Sequence, residues 1–171
     1  SQGMYTKGSA KVKSNGDLPI LPAPVIGMVG LIPDIAHVTT PAFKTAGDKI
    51  ALVGRFKPAL GGSEYLKCNT GQAFGQPPDI SLKAERAMQN LMLQAIRQDQ
   101  FKSVQDVSLG GLLITLLECA FEGNLGLALN LESILASGRL DEVLFGETNG
   151  CFVVSYDAQQ ESKLAAHFAG Q

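Results

Sequence analysis

A short polar turn, from Asp106 to Gly111, stands directly before an apolar run that predicts a buried helix. The first backbone N–H groups of a helix lack partners within the helix and carry partial positive charge. Glycines such as Gly110 and Gly111 let a phosphate come close to those groups. Ser108 can donate a hydrogen bond to the same anion, and Asp106 can bind a magnesium ion that accompanies it. The turn is therefore a candidate phosphate site.

Plain helix capping explains the same residues. In that interpretation Ser108 is the N-cap, the glycines make a tight turn and the apolar run is a core helix. The pattern D-x-S-x-G-G is short enough to occur by chance, so the local pattern alone favours capping. The stretch LGGSEYL (60–66) poses the same choice. It lacks the lysine of a P-loop and the spacing of a dinucleotide fingerprint, which favours a strand-to-helix turn.

Bulk composition limits the classes of partner. The 171 residues are 45% hydrophobic and 18% charged, which suffices for one domain with its own core. A net charge of −2 offers no basic field, so we expect neither nucleic acid nor a membrane as partner. The longest apolar run, 112–117, is far short of the roughly 20 residues of a membrane helix. Residues 1–17 lack the apolar core of a secretory signal, so we expect a cytoplasmic protein.

Cysteine and histidine spacing favours structural roles. The three cysteines (Cys68, Cys119 and Cys151) are odd in number and widely spaced, which predicts buried thiols rather than disulfides. A catalytic thiol is disfavoured because no histidine lies nearby in the sequence. The two histidines, His37 and His167, form no pair with metal-ligand spacing and are expected on the surface or in loops.

The chain divides into a lead-in and one domain. Residues 1–19, rich in Gly, Ser, Lys and Asn, predict a flexible lead-in or a cloning remnant, and the prolines of LPILPAP predict an extended connector. Residues 20–171 predict a single domain in which strands and helices alternate, that is, helices packed on a mixed sheet. The strands are expected at 25–32, 49–53, 126–131 and 151–156, and the helices at 81–98, 110–121 and 158–168. Gly123 and Asn124 are expected to end the middle helix.

Four segments together resemble a known family. They are LPAPVIGMVGLIPDIAHVTTPAFKTAGDKIALVG, LGGSEYL, QDVSLGGLLITLLECAFEGNLGLALNL and LFGETNGCFVVSY. In this order they are similar to the last domain of the large synthetase subunit of phosphoribosylformylglycinamidine synthases, from residue 20 to the C-terminus. The resemblance implies an α+β fold, a three-layer alpha/beta/alpha domain with a mixed sheet of about four strands, like the C-terminal domain of aminoimidazole ribonucleotide synthetase.

The resemblance also implies an activity for the whole enzyme. Enzymes of this family use ATP, with magnesium, to activate the amide oxygen of formylglycinamide ribonucleotide, and ammonia that a glutaminase makes from glutamine then displaces phosphate. The implied partners are the preceding nucleotide-binding domain and the glutaminase subunit or domain. The full enzymes consist of two pseudo-repeats, each with a nucleotide-binding domain followed by an alpha/beta/alpha domain. This chain resembles only the second alpha/beta/alpha domain and lacks the family's N-terminal catalytic histidine. We therefore assign no catalytic residue and expect the chain to be inactive alone.

Site residues carry over by position. The resemblance assigns Asp106 to magnesium and Ser108, Gly110 and Gly111 to phosphate or nucleotide, and it places a substrate-side stretch at Glu147, Thr148 and Asn149. In the second repeat these roles are weaker or auxiliary.

Two departures from the family pattern favour a different role. Gln105 and Leu109 stand where the usual H-D-V-S-[DE]-G-G has a histidine and an acid, and Thr148-Asn149 replaces the usual Ser-Gln. Both changes remove polar, metal-capable groups. The alternative function is therefore a non-catalytic module that supports interdomain packing without binding ligand.

Overall fold

The computed structural model describes residues 26–135 and 138–169. The predicted lead-in and extended connector lie outside these residues. The chain divides into two units between residues 33 and 34. In the first unit, the described residues 26–33 contain no helix or strand. Among the described residues, every regular element belongs to the second unit.

The second unit alternates short strands with helices. Its strands are β1 (Lys49–Gly54), β2 (Ser103–Asp106) and β3 (Cys151–Tyr156). Its α-helices are α1 (Glu64–Thr70), α2 (Leu82–Arg97), α3 (Gly111–Gly123), α4 (Glu132–Leu135), α5 (Leu140–Phe145) and α6 (Glu161–His167). Single 3₁₀ turns cover Ile35–His37 and Ala158–Gln160. No helix in the described residues is long and apolar enough to cross a membrane.

The three strands form one sheet in the order β1-β3-β2, with both pairings antiparallel. Lys49 lies opposite Tyr156, and Ser103 lies opposite Ser155. The α+β fold class is confirmed. In detail, the described residues hold three strands where about four were expected, and the sheet they form is antiparallel rather than mixed.

The sheet separates two apolar clusters. Because side chains alternate along a strand, β3 sends Cys151 and Val153 to one face and Val154 and Tyr156 to the other. The first face packs against the buried side of α3, and the second packs against α2 and α6. The expected three layers are therefore present, with β3 in the centre.

Two predicted strands are wrong. Residues 26–32 form no strand, and their large apolar side chains are exposed; Gly27 and Gly30 weaken strand formation in this run. Residues 126–131 also form no strand. Leu125 and Leu127 are half-buried against the apolar cluster that contains the buried side of α3. Burial therefore alternates along this stretch, but among the described residues no neighbouring strand pairs with its backbone. Alternation alone does not make a strand, because a strand needs a neighbour to hydrogen-bond.

The four-residue strand β2 is not among the predicted strands; the predicted turn begins at its last residue, Asp106. Ser103 is 1% exposed, and its hydroxyl lies 2.6 Å from that of Ser155. This cross-strand pair satisfies two buried hydroxyls, so polar residues are buried between β2 and β3. The turn at Asp106 therefore begins at the end of β2, an edge strand of the sheet.

The cysteines are free, and Cys119 and Cys151 are buried while Cys68 is exposed. Burial raises the pKa of Cys151 to about 12. Burial, with a smaller contribution from Glu122 and Glu118, raises the pKa of Cys119 to about 11. Both buried thiols are neutral at physiological pH, as expected of structural cysteines.

Candidate functional site

The turn from Asp106 to Gly111 connects the end of β2 to the start of α3. Its first apolar residue, Val107, is 2% exposed and donates its N–H to the Cys151 carbonyl at 2.9 Å. Within the turn, the Gly111 N–H donates to the Ser108 carbonyl at 3.1 Å. The turn is thus attached at one side to β3 and closed by its own backbone.

Gly110, not Ser108, is the N-cap of α3, so the capping role expected of Ser108 is wrong. Gly110 has φ +80°, and as a glycine it supplies no capping side chain of its own. A Cβ on Gly110 would lie 2.8 Å from the Ile114 side chain. Glycine is required here because the backbone is left-handed and Ile114 fills the adjacent space.

Gly111 is a point of close backbone packing. Its φ is +75°, and a Cβ there would lie 2.6 Å from the Phe145 carbonyl carbon and 2.7 Å from the Gly146 oxygen. The end of α5 therefore rests directly against the first residue of α3. This contact explains why position 111 is a glycine without requiring that a ligand bind there.

The Glu147 carboxylate holds two helix starts together. Its Oε1 accepts the Gly110 N–H at 3.1 Å and the Glu64 N–H, at the start of α1, at 3.0 Å. The Glu147 backbone exchanges two hydrogen bonds with Ala59, of 2.9 and 3.0 Å. A negative side chain at helix N-termini is electrostatically favourable. Glu147 thus occupies, at Gly110, the position expected of an anion.

The other two substrate-side candidates also make internal contacts. Thr148 is 8% exposed, and its hydroxyl oxygen accepts the Lys57 N–H at 3.4 Å. The Asn149 side-chain amide lies 3.3 Å from the Pro78 carbonyl and 3.4 Å from the Asp79 carbonyl. The loop 147–149 therefore connects three stretches of chain that are far apart in sequence.

Asp106 and Ser108 are the site candidates with exposed side chains. The Asp106 carboxylate accepts a hydrogen bond from the Gln105 amide at 3.3 Å. An exposed carboxylate fits a single protein ligand of magnesium, which commonly keeps waters and phosphate oxygens as its other ligands. In the described part of the chain no group of three His, Cys, Asp or Glu could hold a metal. Asp106 would hold magnesium only together with ligands from elsewhere.

The two predicted groups of site residues, the turn 106–111 and the loop 147–149, lie together at one edge of the domain. Gly110 bonds Glu147 directly, and Asp106 pairs with Phe152, three residues beyond Asn149. The glycine-rich stretch 60–66 lies there too, through the Glu64 N–H bond to Glu147. Its Ser63 is the N-cap of α1 and accepts the Leu66 N–H at 3.3 Å, which confirms a turn into a helix.

Comparison with known proteins places this fold in a family. The model of the C-terminal domain of AIR synthase related proteins matches residues 45–171. "Phosphoribosylformylglycinamidine synthase subunit PurL" of Leuconostoc mesenteroides is 44% identical over 143 residues, which are 84% of this chain and 19% of the relative. The protein of the same name from Gloeobacter violaceus is 42% identical over 140 residues, 81% of this chain and 18% of its own length. The chain thus spans about a fifth of these relatives.

Solved structures have the same fold. Thermotoga maritima PurL complexed with FGAR aligns with a TM-score of 0.62 at 15% identity, covering 78% of this chain and 24% of that one. The T. maritima PurLQS structure aligns with a TM-score of 0.56 at 20% identity, covering 78% of this chain and 21% of that one.

Proposed function

The chain belongs to the family of AIR synthase related protein C-terminal domains, and we propose on this basis that it is the C-terminal domain, or a fragment of it, of an ATP-dependent formylglycinamide ribonucleotide synthetase of purine biosynthesis. The observation that carries the proposal is the identity of 37–44% to curated proteins named for that activity, over 80–90% of this chain. The chain would be inactive alone, since it spans about a fifth of those relatives.

In the proposed reaction, ATP transfers its terminal phosphoryl group to the amide oxygen of formylglycinamide ribonucleotide, releasing ADP. Ammonia from glutamine then attacks the activated carbon, and phosphate leaves to give the amidine. Thermotoga maritima PurL structures with FGAR, AMPPCP, ADP and ATP support nucleotide and substrate binding by proteins of this kind. Magnesium would accompany the nucleotide and neutralise its phosphate charge.

Within that enzyme, this chain would contribute one edge of a site. Asp106 would be a magnesium ligand and the Ser108 hydroxyl a donor to phosphate, since both side chains are exposed at the start of α3. Gly110 and Gly111 would shape the phosphate side, and Glu147, Thr148 and Asn149 the substrate side. The partners would be the preceding nucleotide-binding domain and a glutaminase, in the cytoplasm; the T. maritima PurLQS structure supports an assembly of several subunits.

The alternative is a packing module that touches no ligand. The observation in its favour is that the Gly110 N–H is already bonded to Glu147, while Gly111 packs on the end of α5. In this reading the polar edge orders the domain, and other domains supply every ligand contact. The two functions differ in what they require of Asp106.

A domain exchange tests the proposal. The matching segment of the Leuconostoc relative is replaced by this chain, and ATP- and ammonia-dependent conversion of formylglycinamide ribonucleotide is measured. We expect the chimera to be active, whereas the same relative with the segment deleted is inactive. A folded chimera no more active than the deletion would contradict the proposal.

A single substitution in that chimera distinguishes a ligand-binding role of the edge from a packing role. Asp106→Asn is expected to lower kcat/KM by about tenfold or more if Asp106 holds magnesium. The matched control is Asp99→Asn, an exposed aspartate outside the site, which is expected to leave the kinetics unchanged. Unchanged kinetics for Asp106→Asn would leave only the packing role.

A further inference from the structure

An open groove of about 390 Å³ runs between α1 and the first turns of α3. Its walls are mainly apolar. On one side lie Leu109, which is 67% exposed, and Ile114. On the other side, Tyr65 and Phe145 stack with ring centroids 4.9 Å apart and planes 14° apart. We call this the α1–α3 groove. A stacked aromatic pair beside an exposed aliphatic side chain such as Leu109 is typical of a surface that packs against a partner.

Acidic side chains lie at the margin of the groove. Glu64 and Glu118 line it; Glu64 pairs with Lys67, whereas Glu118 is exposed. Glu122 is exposed one turn further along α3. Among the described residues, no lysine or arginine lines the groove. Because Lys67 neutralises Glu64, the negative charge lies on the α3 side of the groove, at Glu118 and the nearby Glu122, and it selects a partner with basic side chains.

The outer side of α3 continues the groove as a stripe. Ile114, Glu118 and Phe121 follow one another at spacings of four and three residues, so they lie along one side of the helix. Phe121 is 79% exposed. A stripe with this spacing matches the length and direction of a second helix laid along α3.

We propose that the α1–α3 groove and the outer stripe of α3 bind a basic amphipathic helix of a partner protein. Its apolar side chains fill the groove and cover Phe121, and its lysine or arginine side chains face Glu118 and Glu122. Three observations support a helix of this chemistry: the apolar walls, the helical spacing of the stripe and the negative margin. The groove adjoins the proposed nucleotide edge, since Leu109 and Gly110 line it, but the helix that it binds is a partner that the proposed function does not include.

The test uses three labelled peptides and this chain. The first is helix-forming, with leucine at spacings of three and four residues and lysine beside them. The second has glutamate in place of lysine, and the third has the composition of the first in scrambled order. We expect the lysine peptide to bind saturably and to shift the amide signals of Leu109, Ile114 and Phe145. The other two should bind at least about tenfold more weakly.

A charge reversal with a matched control completes the test. Glu118→Lys is expected to weaken the lysine peptide by about fivefold and to strengthen the glutamate peptide. The control is Glu161→Lys, at an exposed position of α6, which makes the same change of charge and should leave the affinity unaltered. Equal binding of the scrambled peptide, shifts on another surface, or equal effects of the two variants would overturn the proposal. Self-association of the chain through Phe121, seen by sedimentation, would overturn it in favour of a second copy.

Discussion

Replacement of Gly111 by alanine is expected to lower the free energy of unfolding by about 3 kcal/mol or more, because backbone strain and overpacking add. The residue has φ +75°, where an L side chain is strained. The new Cβ would also meet the backbone of Phe145 and Gly146, which cannot rotate away as a side chain can. Urea unfolding, followed by circular dichroism, measures the change.

Gly71→Ala is the matched control for this prediction. Gly71 has φ +77°, yet no atom lies within 4 Å of the position of its Cβ. Its substitution should therefore cost only the backbone strain, about 1 kcal/mol. Equal losses at the two glycines would contradict the account of Gly111 as a packing contact between α3 and the end of α5.

Replacement of Glu147 by alanine is expected to lower the free energy of unfolding by about 2 kcal/mol or more, since two hydrogen bonds to a charged group are lost. It leaves the N–H groups of Gly110 and Glu64 without their acceptor. Hydrogen exchange at these two amides should become faster than in the unaltered chain. Glu147→Gln keeps an acceptor oxygen and should lose about half as much stability.

Glu122→Ala is the control for that prediction, because Glu122 is an exposed acid on α3 at a distance from the helix start. It should leave the stability and the exchange of Gly110 almost unchanged. Similar losses for Glu122→Ala and Glu147→Ala would mean that net charge, rather than the two specific bonds, explains the effect.

Local patterns in the sequence predicted the elements whose pattern is strong. The helix α2 follows from apolar residues three and four apart, and Met88, Met92 and Ala95 are its buried positions. The end of α3 at Asn124, with φ 51°, follows from the tolerance of asparagine for the left-handed region. Strands β1 and β3 follow from β-branched, apolar runs. In each case the information lies within a few residues.

The errors arise where a distant partner decides. Residues 126–131 have the alternation of a strand but no neighbour to pair with, whereas polar β2 is a strand because Ser155 lies opposite Ser103. The hydrogen bond from the Gly110 N–H to the Glu147 carboxylate could not be predicted from a local pattern, since the two residues are 37 positions apart. The resemblance assigned Glu147 to the substrate side, and it gave no indication of the bond to the Gly110 N–H at the N-cap of α3.

We propose that the edge formed by Asp106 to Gly111 and the loop 147–149 is one part of a ligand site, which another domain completes. A titration of this chain with Mg-ATP, followed by calorimetry and by the amide signals of Gly110 and Gly111, tests it most directly. We expect a folded chain with no saturable heat and no shift at either glycine, since Glu147 already holds the Gly110 N–H. Saturable binding that shifts both signals, and that Asp106→Asn abolishes, would contradict it.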